Sequence, residues 1–318
     1  MLVVQAPDVQ SQLRWIDLAQ AIEAGHKLPK AQINDSFLTR GDQTLLMRSA
    51  WIDGLGMAVK VATIFPGNAT LDMPTVQGSV TLYDDRSGAP QALVDFDLVT
   101  RLKTVGDSFL AASKLARPDS KSILMVGTGR IATTALSAYQ AMFPDARFMV
   151  WNHRRESAQV LVDRSQGLEV ADDLAVAVSQ ADIVCCATLS REPLIKGAWL
   201  RPGQHIDLIG AFRADMREAD DDVLRRGRIF VDSRQTTLDH IGELKLPIAA
   251  GVIRVQDVVA DFYDLETGRF ARQSDDEITV FKNGGGAHLD LMTAQYVLRC
   301  YQHLQKNQSG LSCDQSNT

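Results

Sequence analysis

Hydrophobic and polar residues follow different patterns in successive parts of this chain. Residues 12–24 carry apolar side chains at helical spacing, which predicts an amphipathic helix. Between about 33 and 95, short β-rich runs are separated by turn residues such as Asp53-Gly54, a pattern typical of a sheet with hairpin-like connections. Residues 98–116 return to helical spacing, and we expect this helix to link a first domain to a second.

From residue 121 the pattern alternates between strands and helices. The predicted strands are nearly continuous apolar runs, as expected for strands buried on both faces; they are 122–126, 147–151, 182–187, 205–210 and 228–232. Helical patterns such as 130–142 lie between them, and the alternation predicts an α/β fold with a doubly wound parallel sheet of the Rossmann type. Residues 287–306 predict a final helix, and the polar segment 307–318 is predicted to be a disordered tail.

A glycine-rich turn follows the first strand of this alternating region. Gly127, Gly129 and Ala132 match the G-x-G-x-x-G/A fingerprint between a buried strand and an amphipathic helix. Free N–H groups at a helix N-terminus favour phosphate, so we predict a dinucleotide site here; the alternative is a purely structural turn. The predicted contacts are Gly127, Thr128, Gly129, Arg130 and Ile131.

The residues after the second strand bear on which dinucleotide binds. An NAD site usually carries an acid about twenty residues beyond the turn, but this chain has Asn152, His153, Arg154 and Arg155 there. Arginine suits a 2′-phosphate because its guanidinium is planar and permanently charged. We therefore predict NADPH as the cofactor, with NADH possible; the alternative is a solvated basic loop without a ligand.

Ligands in open α/β sheets bind beyond the carboxyl ends of the strands. Thr188 follows one predicted strand and is expected near the ribose or the cofactor backbone. Ala211 and Phe212 follow the next and are expected near the nicotinamide. Each of these residues has the alternative interpretation of a loop position without ligand contact.

Composition and charge argue against several classes of protein. The chain of 318 residues has a net charge of −6, whereas a general nucleic-acid binder would be basic. No apolar run approaches the roughly 20 residues that cross a bilayer, and the N-terminus has no signal-peptide pattern. The four cysteines and six histidines are scattered, so no metal site is expected and the default location is cytoplasmic.

Several short motifs, in order, resemble the ornithine cyclodeaminase/mu-crystallin family over nearly the whole chain except the tail. They are VKV at 59–61, PTVQG at 74–78, VGTGRIA at 126–132, IGA at 209–211 with MRE at 216–218, VDSR at 231–234, and FKN at 281–283 with Asp290. The resemblance implies a Rossmann domain, 117–286, inserted in a mixed α+β domain formed by 1–116 and 287–306. It also implies that the outer domain binds substrate and forms a homodimer.

Members of this family differ in their chemistry. Cyclodeaminases release ammonia from ornithine or lysine with bound NAD, other members reduce cyclic ketimines, and mu-crystallin binds NADPH and thyroid hormone. Cyclodeaminases carry an essential aspartate where this chain has Phe212, which cannot act as a base; a shifted alignment would offer Asp215 instead.

Two departures from the cyclodeaminases, Phe212 in place of the aspartate and the lack of an acid at 152–155, favour the reductase branch. We predict an oxidoreductase of proline metabolism that uses NADPH to reduce small cyclic imino acids. The reactions are Δ1-pyrroline-2-carboxylate to proline and Δ1-piperideine-2-carboxylate to pipecolate. The alternatives are an ornithine or lysine cyclodeaminase and a non-catalytic NADPH-dependent binder.

The substrate's carboxylate requires fixed cations. Lys60 lies among apolar neighbours in a predicted strand, where burial is costly unless the charge is used, and the family places a carboxylate-binding lysine there. Arg48 is similarly placed, and Lys103 replaces the arginine of the family's R-T-A-A motif, so a bidentate fork becomes a point charge. Lys60, Asp290 or a bound water is the expected proton donor, and the resemblance places Asn283 with the cofactor. The alternative for Lys60 and Arg48 is exposure to solvent.

Overall fold

The computed structural model describes the backbone of residues 1–313 and the side chains of residues 1–307. The chain divides into two compact units. We call Met1–Lys103 with the segment from Gly286 onward the terminal unit, and Thr104–Gly285 the central unit. The sequence analysis assigned the whole linking helix to the outer domain, whereas the observed division falls inside that helix.

The terminal unit begins with a sheet whose strand order is β1-β6-β5-β4-β3-β2. Its neighbours are antiparallel except for β1 and β6, which are parallel. The elements are β1 (Leu2–Val4), α1 (Ala6–Val9), α2 (Trp15–His26), β2 (Gln32–Arg40), β3 (Gln43–Ile52), β4 (Gly56–Ile64), β5 (Val76–Tyr83), β6 (Pro90–Asp95) and α3 (Phe96–Leu115). Alternate residues of β4 are buried, which gives the sheet one covered face and one partly exposed face.

The central unit holds a sheet with strand order β13-β12-β14-β11-β10-β7-β8-β9, in which each strand runs parallel to its neighbours. The strands are β7 (Ser122–Val126), β8 (Arg147–Trp151), β9 (Leu168–Val170), β10 (Ile183–Cys186), β11 (His205–Leu208), β12 (Arg228–Val231), β13 (Val258–Ala260) and β14 (Thr279–Lys282). The helices are α4 (Arg130–Met142), α5 (Arg155–Asp163), α6 (Leu174–Gln180), α7 (Asp221–Arg226), α8 (Arg234–Thr237) and α9 (Gly242–Ala249). This is the predicted Rossmann-type sheet.

The order of the strands locates the binding edge of the central unit. β7 lies between β8, the next strand in the chain, and β10. The chain therefore moves away from β7 in both directions, and the carboxyl ends of β7 and β10 flank the topological switch point where doubly wound folds bind ligands. β10 is fully buried along its length, which explains its unbroken apolar sequence.

The last helix, α10 (Ala287–Cys313), returns to the terminal unit and packs against α2, β3 and β4. It extends past the predicted end at residue 306, so the prediction of a disordered tail is wrong for 307–313. Gln302, Gln305 and Lys306 near this end are good helix formers that let an established helix propagate. Residues 314–318 of the predicted tail lie outside the described residues. Across the described part of the chain, helices are too short or too polar to traverse a bilayer.

Candidate functional site

The glycine turn between β7 and α4 has the geometry of a phosphate cradle. Gly127 has φ +111, and a Cβ there would lie 2.7 Å from the carbonyl oxygen of Ala187, so another residue would be strained. Gly129 is the N-cap of α4 and lies in open space, because a Cβ built on it meets nothing within 4 Å. The turn therefore needs its first glycine for the chain and leaves its second open to a ligand.

This turn fits the pyrophosphate of a dinucleotide. No side chain caps the N-terminus of α4, and both Gly129 and Arg130 are exposed. The first-turn N–H groups and the positive end of the helix dipole can therefore act on a bound phosphate. Thr128 and Ile131 occupy the same turn and are partly buried.

The predicted adenosine-ribose segment lies directly beyond β8. Asn152 donates its side-chain N–H to the Arg154 carbonyl oxygen at 3.0 Å, which closes a tight turn. His153 and Arg154 are exposed, and Arg154 is the N-cap of α5. Arg155 forms an exposed ion pair with Asp172 at 2.6 Å, an interaction that water weakens. The segment thus presents cationic side chains at a helix N-terminus.

The residues predicted after β10 and β11 are bound to one buried acid. Thr188 donates both its backbone N–H and its hydroxyl to Glu218, at 2.7 and 2.8 Å. Ala211 is buried and donates its N–H to the same carboxylate at 3.3 Å, whereas the side chain of Phe212 is 62% exposed. Asn283 donates its side-chain N–H groups to the Thr104 carbonyl oxygen and the Ser108 hydroxyl, so this amide anchors α3 within the central unit.

The terminal unit brings three of the predicted substrate residues into one buried cluster. Lys60 of β4 donates to Asp290 of α10 at 2.9 Å, and Lys103 of α3 lies 3.5 Å from the other carboxylate oxygen. Lys60 also donates to the Thr100 hydroxyl at 2.7 Å and lies over the ring of Phe96. Both lysines are 6% exposed and Asp290 is 1% exposed. We call these three side chains the lysine–aspartate cluster; together they carry one unit of positive charge.

Charge balance sets the protonation of the aspartate in this cluster. Burial alone would raise the pKa of Asp290, but Lys103, Lys60 and Arg48 lower it to about 2. Asp290 is therefore ionised at neutral pH and accepts hydrogen bonds. Nearby, burial and the charges of Lys103 and Arg48 hold the pKa of His288 well below its usual range.

Arg48 is placed beside the lysine–aspartate cluster but has its own acid. It lies opposite Lys60 in the β3–β4 register, so the two side chains share the covered face of the sheet. Its guanidinium donates from two nitrogens to one oxygen of Asp35, at 3.0 and 2.6 Å. Asp35, Arg48 and Lys60 thus form a row across three strands, in which the Arg48–Asp35 pair is the more exposed part.

Sequence reasoning did not identify Thr100, Asp35, His288 or the role of Glu218. Asp35 and Thr100 are ordinary polar residues within element patterns, and His288 lies on a buried helix face. Glu218 belongs to the MRE motif at 216–218, which was a signal of family but not of contact. The contacts of Thr100 with Lys60 and of Glu218 with Thr188 join residues 40 and 30 positions apart, which no local pattern reveals.

Comparison with known proteins agrees with this geometry. A sequence model of the ornithine cyclodeaminase/mu-crystallin family matches residues 2–305. The chain is 53% identical over 298 residues to a Δ(1)-pyrroline-2-carboxylate reductase of Paracoccus denitrificans, covering 92% of this chain and 94% of that protein.

Two similar solved structures contain a nicotinamide cofactor. The Δ(1)-pyrroline-2-carboxylate reductase of Thermococcus litoralis, in complex with NADH and L-proline, has a TM-score of 0.87 at 26% identity and covers 96% of this chain and 98% of that chain. An archaeal alanine dehydrogenase dimer with bound NAD has a TM-score of 0.86 at 29% identity, covering 96% and 97%. With its glycine turn, its buried lysines and a family match over nearly its whole length, this chain belongs to the ornithine cyclodeaminase/mu-crystallin family.

Proposed function

We propose that this chain is an NADPH-dependent ketimine reductase that converts Δ1-pyrroline-2-carboxylate to proline and Δ1-piperideine-2-carboxylate to pipecolate. The observation that carries the proposal is the lysine–aspartate cluster, a buried site in which two lysines lie beside one aspartate. The strong identity to a pyrroline-2-carboxylate reductase supports the five-membered substrate in particular.

The nicotinamide cofactor, when bound, supplies the hydride that reduces the imine carbon. The central unit would hold it through the Gly127–Ile131 turn and the segment beyond β8. The related structures contain NADH or NAD, so the choice of NADPH rests on Arg154 and Arg155 and on the lack of an acid at positions 152–155. Both arginines lie at the exposed N-terminus of α5, where a 2′-phosphate would also meet the helix dipole.

The lysine–aspartate cluster would bind the substrate's carboxylate. A carboxylate bound beside the two lysines would gain charge–charge attraction from both ammonium groups, which offsets part of the cost of burying it. An ammonium group has three N–H donors, and Lys60 uses two of them on Thr100 and Asp290. The third can donate to a substrate oxygen. Arg48 assists from the rim of the same sheet face.

Protonation of the substrate nitrogen precedes or accompanies hydride arrival, because an iminium carbon accepts hydride more readily. Asp290, with a pKa lowered to about 2, has no proton to give at neutral pH. Its role is to accept from Lys60 and so to orient that ammonium group. Lys60 or a bound water then supplies the proton.

A cyclodeaminase activity is the less favoured alternative. Position 212 holds phenylalanine, which can neither take nor give a proton. Asp215, three residues along, is bound to Arg213 at 3.0 Å and to Arg191 at 3.4 Å. Both arginines form ion pairs with that carboxylate, so it does not replace the missing acid.

The deciding experiment is a substrate panel run with NADH and with NADPH. Purified protein should consume NADPH when either cyclic imino acid is added. The loss of the reduced cofactor's absorbance measures this consumption. Ammonia release from ornithine without net cofactor consumption would instead establish the lyase. Cofactor binding by calorimetry without turnover of any imino acid would establish a binding protein.

We also propose a cytoplasmic homodimer formed through the terminal unit. The face of its sheet opposite Lys60 carries a partly exposed apolar row that includes Met47, Val61, Met57 and Trp51, the last 45% exposed. One structural relative is described as a dimer. Light scattering should give twice the chain mass for the wild type, and Trp51→Asp should shift it toward the monomer; a monomeric wild type would contradict the proposal.

A further inference from the structure

Glu218 has more hydrogen-bonded contacts than its position in a short loop would suggest. Its side chain is completely buried. One carboxylate oxygen accepts the Thr188 N–H and hydroxyl at 2.7 and 2.8 Å, and the other accepts the N–H groups of Gly210 and Ala211 at 2.6 and 3.3 Å. Four donors on one buried carboxylate form a strong, charge-assisted network.

These four donors lie at the carboxyl ends of two neighbouring strands. Thr188 follows β10, and Gly210 with Ala211 follows β11. β10 is also the neighbour of β7, whose end carries the glycine turn. Glu218 therefore fastens together the two strand ends beside the switch point, the place at which this fold binds its ligand.

Glu218 is itself held in position. Its backbone N–H donates to Glu243 of α9 at 2.7 Å, and the Ala219 N–H donates to the same carboxyl group at 3.0 Å. Its carbonyl oxygen accepts the N–H groups of Leu194 and Ile195. Gly210 approaches so closely that a Cβ there would lie 2.5 Å from the Glu218 carboxylate. Hydrogen bonds thus connect the ends of β10 and β11 to Glu218, and Glu218 to Glu243.

We propose that Glu218 is a positioning residue for the nicotinamide cofactor, acting through the backbone at Thr188, Gly210 and Ala211. This inference rests on the proposed function only in requiring that a nicotinamide dinucleotide binds at this edge. Because the Thr188 hydroxyl gives its proton to Glu218, toward a ligand it can only accept a hydrogen bond. An edge ordered in this way suits a hydrogen-bond donor such as the carboxamide NH2 of nicotinamide.

Glu218→Gln is the most direct variant. An amide keeps the size of the side chain but replaces one acceptor oxygen with an NH2 group. That group would face either the Thr188 N–H or the Gly210 N–H, so at least one backbone N–H loses its acceptor. The contact between residue 218 and the end of either β10 or β11 should then be lost, while the glycine turn remains unchanged.

Asp182→Asn is a matched control within the same sheet. Asp182 is also a mostly buried acid that accepts two backbone N–H groups, from Lys121 at 2.8 Å and Ser122 at 3.0 Å. Both donors lie at the amino end of β7, and Asp182 itself directly precedes β10, so these contacts join the two strands at the end opposite the binding edge. A general loss of sheet stability would affect both variants, whereas a loss of positioning would affect only Glu218→Gln.

Calorimetry of the full chain with NADPH provides the measurement. It reports the dissociation constant separately from the fraction of competent protein, so partial unfolding does not mimic lost affinity. We expect Glu218→Gln to raise the dissociation constant at least about tenfold, as the loss of a hydrogen bond to a charged group implies. Asp182→Asn should stay within about twofold of the wild type.

Two outcomes overturn the proposal. If the dissociation constant of Glu218→Gln for NADPH lies within about twofold of the wild-type value, Glu218 has no positioning role. Hydrogen exchange on the unmodified chain gives a test that needs no variant: the amides of Thr188 and Gly210 should exchange slowly before cofactor is added. Fast exchange that slows only on adding NADPH would show that the ligand, not Glu218, orders this edge. A wild type that binds neither NADPH nor NADH would instead refute the proposed function.

Discussion

At the residue scale, the terminal unit brings two buried lysines together around one buried aspartate. Lys103 occupies the position at which the resemblance implies arginine, so carboxylate recognition would depend on point charges instead of a planar fork. Asp290 holds the two lysine side chains close together, at 2.9 Å from Lys60 and 3.5 Å from Lys103. In the function that we propose, this cluster binds the carboxylate of the substrate.

Removing either lysine should weaken substrate binding specifically. Lys60→Met and Lys103→Met each cancel the excess charge, and we expect the KM for the imino acid to rise at least about tenfold, the effect of losing a hydrogen bond between charged groups. Lys103→Arg restores a fork and should keep the KM within about threefold of the wild type. Lys245→Met, at an exposed position of α9, is the control. Steady-state kinetics in which all four variants share one KM would contradict the cluster's role.

The choice of cofactor also depends on individual side chains. Replacing Arg154 and Arg155 with alanine removes two cations at the N-terminus of α5, and the KM for NADPH should rise by about tenfold or more while that for NADH changes little. Arg147→Ala is the matched control, because Arg147 is an exposed arginine paired with Glu169 at the other end of β8. Equal losses with both cofactors would refute the assignment of a 2′-phosphate site.

At the element scale, the local pattern predicted well wherever an element is long and its periodicity clear. α4 and β7 have the bounds that the pattern predicts, 130–142 and 122–126. The pattern did not reveal β1, β9, β13 or β14, which are three or four residues long. So short a run shows too little alternation to be distinguished from a loop, and its strand conformation comes from the neighbour to which it pairs.

Replacing the two glycines of the turn should affect stability and cofactor binding differently. Gly127→Ala places a Cβ at φ +111 against the Ala187 carbonyl oxygen, and should lower the free energy of unfolding without cofactor by about 1–3 kcal/mol. Gly129→Ala enters open space and should cost less than about 1 kcal/mol. It should nevertheless weaken NADPH binding, because the added methyl group separates the backbone from the pyrophosphate. Denaturant unfolding and calorimetry measure the two effects; the reverse ranking of stabilities would contradict the assigned roles.

At the scale of the whole molecule, stability toward acid depends on buried groups that must stay neutral. Burial, with a smaller contribution from Arg272, lowers the pKa of His205 to about 3. The unfolded chain binds this proton below about pH 6.5, whereas the native chain resists it until about pH 3. The histidine is therefore neutral in both states at pH 8, and its contribution to folding is lost as the pH falls through this window.

A non-titrating replacement should remove this acid sensitivity. The wild type should have a larger free energy of unfolding than His205→Gln, and the difference between them should be greatest at pH 8. The difference should shrink toward pH 4, by up to about 1.4 kcal/mol per pH unit for one proton. Chemical denaturation at a series of pH values measures it. A difference that grows on acidification would mean that native His205 is protonated.

The sequence alone determined the Rossmann-type region, the dinucleotide turn, the family and the lysine most suited to a carboxylate, because strand alternation, helical spacing and glycine positions are set by near neighbours. The family and the Rossmann-type fold are confirmed; the roles of individual site residues stay predictions. Only the tertiary structure joined Lys60 to Asp290, 230 positions apart, and gathered the strand ends of β10 and β11 around Glu218. Such partners are selected by packing: a buried charge needs a counter-charge in space, and distance along the chain does not indicate which residue will supply it.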